Sequence, residues 1–183
     1  RRRRGWVRNC VAIGLAAGFL EPLESTGLHL IQSAILRLVR LMPDARFDPA
    51  TSAEYNRQTD FEMERIRDFI ILHYKATTRD DTPFWNDCRT MDVPDPLREA
   101  IALFRADGRY FRNGEDFFAL PSWVQVMIGQ GIVPAGYHPI VDAMPEGHLD
   151  QYLERVRGEI AAAVATMPAH HAFIDRYCKA TVP

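Results

Sequence analysis

The sequence predicts a mainly α protein with one or two short strands at its start. Three observations carry that prediction. Apolar residues recur at helical spacing in several stretches, start and stop signals bracket those stretches, and only one run, Val7 to Ile13, reads as a buried strand. At 183 residues, 47% of them hydrophobic and 25% charged, the chain has the composition of one globular domain with a core of its own. Its net charge of −2 gives no bulk attraction to nucleic acid or to an anionic membrane. No apolar run reaches membrane-spanning length, and no signal-peptide pattern is present. Cys10, Cys88 and Cys178 are odd in number and widely spaced. They fit free thiols in a reducing compartment, here the cytoplasm, better than a disulfide framework or a zinc site. The chain opens "RRRRGWVRNC" without an initiator methionine. A basic arm for nucleic acid is one reading of that opening. The favoured one, given the near-neutral remainder, is a portion of a longer protein.

The elements follow in order. The strand Val7 to Ile13 is bounded by Gly14. Ser25 or Thr26 caps a helix from about Gly27 to Met42, whose apolar stripe is Leu28, Ile31, Ile35, Leu38 and Met42. Arg37 and Arg40 lie near the negative end of its dipole, and Pro43 helps to stop it. Thr51-x-x-Glu54 is a capping box for a long helix to about Lys75, with Tyr55, Thr59, Met63, Ile66 and Ile70 on one stripe. "TRDDTPFWND" reads as a turn carrying two buried aromatics, of which Trp85, like Trp123, is a structural anchor. Pro94 or Asp95 begins a helix through Phe104, Phe111 to Leu120 is a loop, and "PSWVQVMIGQG" is a helix stopped by Gly131. Glu146 to Met167 is the most regular helix, with Leu149, Leu153, Val156, Ile160 and Val164 on one side and Ala161 to Ala163 suited to close helix contact. A last helix follows Pro168. The domain reading is a strap over 1–42 and a helical substrate-side domain over 43–183.

The chemistry concentrates in Asn9 to Leu38. Strand, glycine, irregular loop, then helix is an arrangement that delivers backbone N–H groups to a ligand. The first N–H groups of a helix have no internal acceptor, and the positive end of the dipole adds to them. A helix beginning at Thr26-Gly27 is therefore a seat for an anion or an electron-rich ring, and Gly27 lets that group approach the backbone. Glu24, just before the seat, is placed to hold or accept a proton beside a bound ligand. Glu21 lies across Pro22 and need not point the same way. The same residues admit a plainer reading, with Glu24 a surface charge at a helix start and Gly27 a packing glycine. The six histidines include one adjacent pair, His170-His171, but no spacing that puts metal ligands on one face.

"NCVAIGLAAGFLEPLESTGLHLIQSAI" resembles the strap segment of the flavin-dependent tryptophan halogenases. The resemblance continues through "EYNRQTDFEMERIRDFIILHYKATTRDDTPFW" and "SWVQVMIGQGIVPAGYHP", so it covers Trp6 to about Pro139. More distantly, the strand, glycine, proline and glycine-helix order is similar to a flavin-contacting motif of aromatic hydroxylases. An aspartate usually follows the first glycine there, and Leu15 stands in its place here. The resemblance implies the helical C-terminal part of a two-part FAD-dependent halogenase. By it, Thr26 and Gly27 hold the halide, Glu24 is the catalytic carboxylate at the substrate, and Leu15 and Leu28 touch FAD. The family's GxGxxG motif and catalytic lysine lie upstream of the matched segment and are absent from these residues. Reduced FAD, oxygen and chloride or bromide would then yield hypohalous acid for electrophilic attack on an aromatic ring, with a separate flavin reductase as partner.

Substrate recognition is the less settled part. The region "RADGRYFRNGEDFFALPSW" is shorter than its counterpart in the tryptophan-specific members and has no Tyr-Tyr pair. Phe117 and Phe118 occupy the approximate place of a substrate-gripping Phe-Trp pair, and both could equally be core. An indole or another electron-rich aromatic fits such a site better than free tryptophan. The loop Asp107 to Leu120 is expected to line or cover the substrate cavity. A homodimer is an admissible assembly, while nucleic acid, membrane and metal are not expected. The alternatives are an FAD-dependent aromatic hydroxylase and a non-catalytic helical scaffold.

Overall fold

The computed structural model describes residues 1–112, 114 and 116–179. Asn113 and Glu115, within the expected loop, lie outside the described residues. Seven helices and one two-stranded sheet make the fold mainly α among the described residues. The chain divides into two compact units, Arg1–Tyr137 and His138–Pro183, and the segment 1–42 falls within the first.

The expected strand over 7–13 is instead a small antiparallel hairpin, β1 (Trp6–Val7) and β2 (Cys10–Val11), with Trp6 opposite Val11 and Val7 opposite Cys10. Arg8, in the left-handed region at φ 55°, makes the reversal that a continuous strand would not contain. Gly14 follows at φ +65°, and a Cβ there would meet the Ile31 side chain at 3.2 Å, so both backbone and space ask for glycine. Short 3-10 turns over Gly14–Ala16 and Pro22–Glu24 lead to α1 (Gly27–Arg40).

The long helix α2 (Pro49–Lys75) is the scaffold of this unit. The anticipated capping box at Thr51 is not used. Asp48 is the N-cap, its side chain accepting from the Ala50 N–H, and Pro49 opens the helix. A proline has no N–H to lose at the first helical position, so Asp48-Pro49 sets the start. Glu54 instead pairs with Arg57 and accepts from Gln58, which holds its carboxyl down at about 2. The expected stripe holds: Tyr55, Met63, Ile66 and Ile70 are buried, with Thr59 half-buried among them. Phe69 and Leu72, on a second face, enter the core with Val93, Leu97, Ile101, Phe104, Trp123, Met127 and Ile132.

"TPFWND" is not a turn but the start of α3 (Pro83–Thr90), again opened by proline. Phe84 is 56% exposed, whereas Trp85 is half-buried, stacked on Tyr74 and under the Arg79 guanidinium. Helix α4 (Asp95–Asp107) begins where expected, runs one turn past Phe104 and ends at Gly108 in the left-handed conformation. Helix α5 (Leu120–Gly129) places Trp123 in the core against Phe69 and Tyr110.

Helix α1 departs from its expected orientation. Leu28, Ile35 and Met42 of the proposed stripe are exposed, and Ala34 is the one buried residue of the helix. The polar residues Ser33 and Arg37 face α2, donating to Glu62 at 2.8 and 2.9 Å, and His29 Nε2 lies 2.9 Å from the other Glu62 oxygen. Ala34 lets the helices approach, and three donors on one carboxylate outweigh the apolar stripe as the contact.

The second unit holds α6 (His148–Thr166) and α7 (His170–Tyr177). Its helical periodicity is as expected, yet Leu149, Leu153, Ile160, Val164 and the run Ala161 to Ala163 are exposed. Among the described residues no helix is long and apolar enough to cross a membrane, and no cluster of three metal-ligating side chains occurs.

Candidate active site

The strap presents two different faces, separated at Ser25. The 3-10 turn begun by Pro22 closes with the Ser25 N–H donating to the Pro22 carbonyl at 2.9 Å. Ser25 then takes the left-handed conformation, φ 54°, which a serine adopts at a cost and which reverses the chain. Before the reversal lie Glu21 and Glu24, after it Thr26, Gly27 and Leu28.

The residues after the reversal border a cavity of about 310 Å³. Gly14, Leu15, Thr26, Gly27, Leu28 and Ile31 are in its wall. Helix α1 begins at Gly27, with Thr26 as N-cap, so its unsatisfied N–H groups lie at this wall. The Thr26 side chain makes no capping bond, unlike the expected role for it, and Thr26 is buried at 2% exposure. A Cβ added to Gly27 would meet nothing within 4 Å, and its φ is not in the left-handed region. Neither packing nor backbone conformation requires glycine here. Leu15 and Leu28 are 83% and 75% exposed, apolar surface that the cavity offers to a ligand.

The residues before the reversal are tied to the end of α2. Tyr74 Oη donates to Glu21 Oε2 at 2.7 Å, and this bond raises the Tyr74 hydroxyl above its ordinary pKa. His73 Nε2 lies 2.9 Å from Glu24 Oε1. The His73 side chain is 16% exposed and that of Glu24 is 32% exposed. Glu24 is not in the cavity wall. Thus the structure brings Leu15, Thr26, Gly27 and Leu28 together and sets Glu24 apart from them.

A chain of rings runs from Glu24 to the loop after α4. His73 meets the Phe69 ring edge-on at 4.9 Å, and Phe118 stacks on Phe69 at 3.9 Å. Phe118 is therefore half-buried against the core, while Phe117, 43% exposed, stacks on His29 at 3.7 Å. Gly114 and Phe117 line a second cavity with His29, Ser33, Arg37 and Glu62.

A family model described as tryptophan halogenase matches residues 1–146. The chain belongs to the tryptophan halogenase family. This halogenase chain is 33% identical to the tryptophan 7-halogenase KtzQ of Kutzneria sp. (strain 744), the match covering 99% of this chain and 37% of KtzQ. Among solved structures it is similar to Xcc4156, a flavin-dependent halogenase from Xanthomonas campestris, with 52% identity and a TM-score of 0.95 over all of this chain and 37% of the other. BrvH, a flavin-dependent halogenase from Brevundimonas sp. BAL3, follows with 48% identity and a TM-score of 0.91, over 96% of this chain and 36% of that one. The chain thus spans little more than a third of the length of these relatives.

Sequence reasoning missed His73, Tyr74 and Glu62. Tyr74 lies 53 residues from the carboxylate it binds, and no local spacing announces such a pairing. Their one signal is position: His73 is four residues after Phe69 on α2, at the helix end that the strap crosses.

Proposed function

We propose that this chain supplies the halide seat, one wall of the flavin site and the substrate-side carboxylate of an enzyme that halogenates an electron-rich aromatic. Thr26 and Gly27 hold chloride or bromide, Leu15 and Leu28 lie against FAD, and Glu24 is the catalytic carboxylate. The observation that carries this reading is Gly27. A glycine that neither its φ nor its neighbours require, at a helix start beside a cavity, is accounted for by a ligand lying against the backbone. The cavity, with the buried Thr26 and the apolar Leu15 and Leu28, fits an anion beside a ring system.

Bound as FADH2 with O2, the flavin supplies the redox chemistry that turns halide into hypohalous acid. The N–H groups at the start of α1 hold the anion and keep it at the cavity wall. On the other face of the strap the aromatic ring takes the halogen from hypohalous acid: the carbon–halogen bond forms as the oxygen–halogen bond breaks, hydroxide leaves with that electron pair, and the ring becomes cationic. The Glu24 carboxylate stabilises that charge and takes the ring proton, and the C–H electron pair returns to the ring. The separation of Glu24 from the cavity wall suits two sites, one for oxidant and one for substrate. An indole or a tryptophan-like compound is the proposed substrate, with Phe117 and Phe118 at its binding region. The missing Tyr-Tyr pair argues for a substrate without an amino-acid grip. A separate flavin reductase delivers FADH2. Thr26-Gly27 after Glu24 argues against a hydroxylase, which has no need of a halide seat, and Glu24 with the glycines argues against a non-catalytic scaffold.

The test is Glu24→Gln in the whole protein, assayed with an indole and bromide beside a hypohalite trap. Halogenation should fall about a hundredfold to a thousandfold, the usual cost of one electrostatic contributor to a transition state. Hypohalite production and FAD binding should persist. Wild-type halogenation by the variant would leave Glu24 as a helix-start charge only.

A further inference from the structure

We infer that His73 is the positioning residue for Glu24, and that the two side chains share a proton which keeps Glu24 a carboxylate. The inference rests on the role proposed above for Glu24. His73 Nδ1 lies 2.8 Å from the Phe69 carbonyl, an acceptor only, so Nδ1 carries a hydrogen. Nε2 lies 2.9 Å from Glu24 Oε1, a distance at which two lone pairs repel unless a proton lies between them. With Nδ1–H committed, that proton makes either an imidazolium facing a carboxylate or a neutral ring facing a carboxylic acid.

The surroundings choose the imidazolium. His73 is in the last turn of α2, where the helix dipole favours a cation. Glu21, the other nearby carboxylate, is already taken by Tyr74 Oη. Lys75 donates its ammonium to the Met91 carbonyl, away from the pair. The Phe69 ring, edge-on at 4.9 Å, fixes the plane of the imidazole. The contact uses one carboxylate oxygen, Oε1, and a carboxylate has a second acceptor to turn toward an aromatic ring. When that oxygen takes the ring proton, the C–H pair restores the ring, Glu24 becomes a neutral acid and His73 remains a cation. The anchoring therefore persists through the step. Without it, a flexible side chain on a short 3-10 turn would sample several rotamers.

The first measurement is the ring-nitrogen pattern of His73 by NMR in the whole protein with ¹⁵N-labelled histidine at pH 7. Both nitrogens should be protonated in the wild type, and one should lose its proton in Glu24→Gln. A neutral wild-type ring, or a pattern indifferent to Glu24→Gln, overturns the inference. The second is kinetic. His73→Leu should lower kcat for halogenation by about tenfold to a hundredfold, the scale of losing the orientation of one reacting group. Its KM should move little and its hypohalite production not at all. His73→Gln, with an amide donor at about the same reach, should recover most of the loss. Wild-type kcat in His73→Leu, or a Gln variant as poor as Leu with an unchanged melting temperature, also overturns it. If the ¹⁵N pattern responds to Glu24→Gln while halogenation does not, the pairing stands and the role of Glu24 falls.

Discussion

Two neighbouring stretches of the strap, Glu21–Glu24 and Thr26–Leu28, have opposite ways of being held. The first is fastened by side chains: two carboxylates reach two consecutive residues at the end of α2. The second is held by the burial of Thr26, whose side chain makes no capping bond, and by the start of a helix whose glycine touches no neighbour within 4 Å of its missing Cβ. The chain needs one residue, Ser25 at φ 54°, to pass from one to the other. A group that must hold a proton gains from a fixed partner, because orientation is what it contributes. A group that must let an anion lie on the backbone gains from being bare. Under the roles proposed for Glu24 and for Thr26-Gly27, the difference would let one short segment serve two sites without mixing them.

The largest expected effect comes from filling the bare side. Gly27→Val in the whole protein should lower hypohalite production about a hundredfold, because the side chain keeps the anion off the backbone N–H and so deprives it of one preorganised contact. The melting temperature should stay within a degree or two, since a Cβ at Gly27 meets no atom within 4 Å. A large loss of stability would show that Gly27 is a packing residue and would collapse the contrast. Gly14→Ala tests the glycine beneath the same cavity. It should destabilise by about 1–2 kcal/mol, because φ +65° and the Ile31 contact at 3.2 Å both resist a Cβ. Denaturant unfolding reads this, and an unchanged midpoint would remove the constraint that shapes the cavity wall.

The smallest effect is on the fastened side. Tyr74→Phe should cost about 1 kcal/mol, the net value of one hydrogen bond. The bond needs the neutral phenol, and the Tyr74 pKa is raised chiefly by that bond to Glu21. Its contribution is therefore complete below the ordinary tyrosine range near 10 and is lost as pH rises through the raised value. Ultraviolet titration should lose one late-titrating tyrosine in the variant, with halogenation near pH 7 nearly unchanged. A strong loss of halogenation would mean that the two carboxylates are not held independently.

Much of this fold was legible in the sequence, and each misreading has a physical cause. The start of α1 at Gly27 and of α4 at Asp95, and the buried stripe of α2, followed from spacing and breakers. The starts of α2 and α3 did not: the Thr51-x-x-Glu54 pattern draws the start of α2 past Pro49, and Pro83 reads as a turn residue in "TRDDTPFWND", whereas both prolines open their helices. In the strand, Arg8 and Asn9 are polar positions inside an apolar run, and they are the turn of the hairpin. The faces of α1 were misjudged for another reason. Periodicity records which residues are apolar, and Glu62, more than twenty residues on, decides which face α2 receives. The same limit applies to the candidate site. Residues within the strap were legible because helix starts are local, whereas His73 and Tyr74 belong to the pairing of distant segments.

The hairpin at the start of the unit has a kinetic consequence. With strands of two residues it is too short to persist alone in water. It is stapled by Asn56 of α2, whose side chain accepts from the Trp6 N–H at 2.8 Å and donates to the Trp6 carbonyl at 2.9 Å, beside the edge-on packing of Trp6 on Tyr55. A single amide group therefore seals both hydrogen-bonding groups of one residue. The Trp6 amide should then exchange with solvent deuterium no faster than the middle of α2, while the neighbouring Arg8 and Asn9 exchange as surface residues do. In timing, the first strand of this chain is an extension of its longest helix.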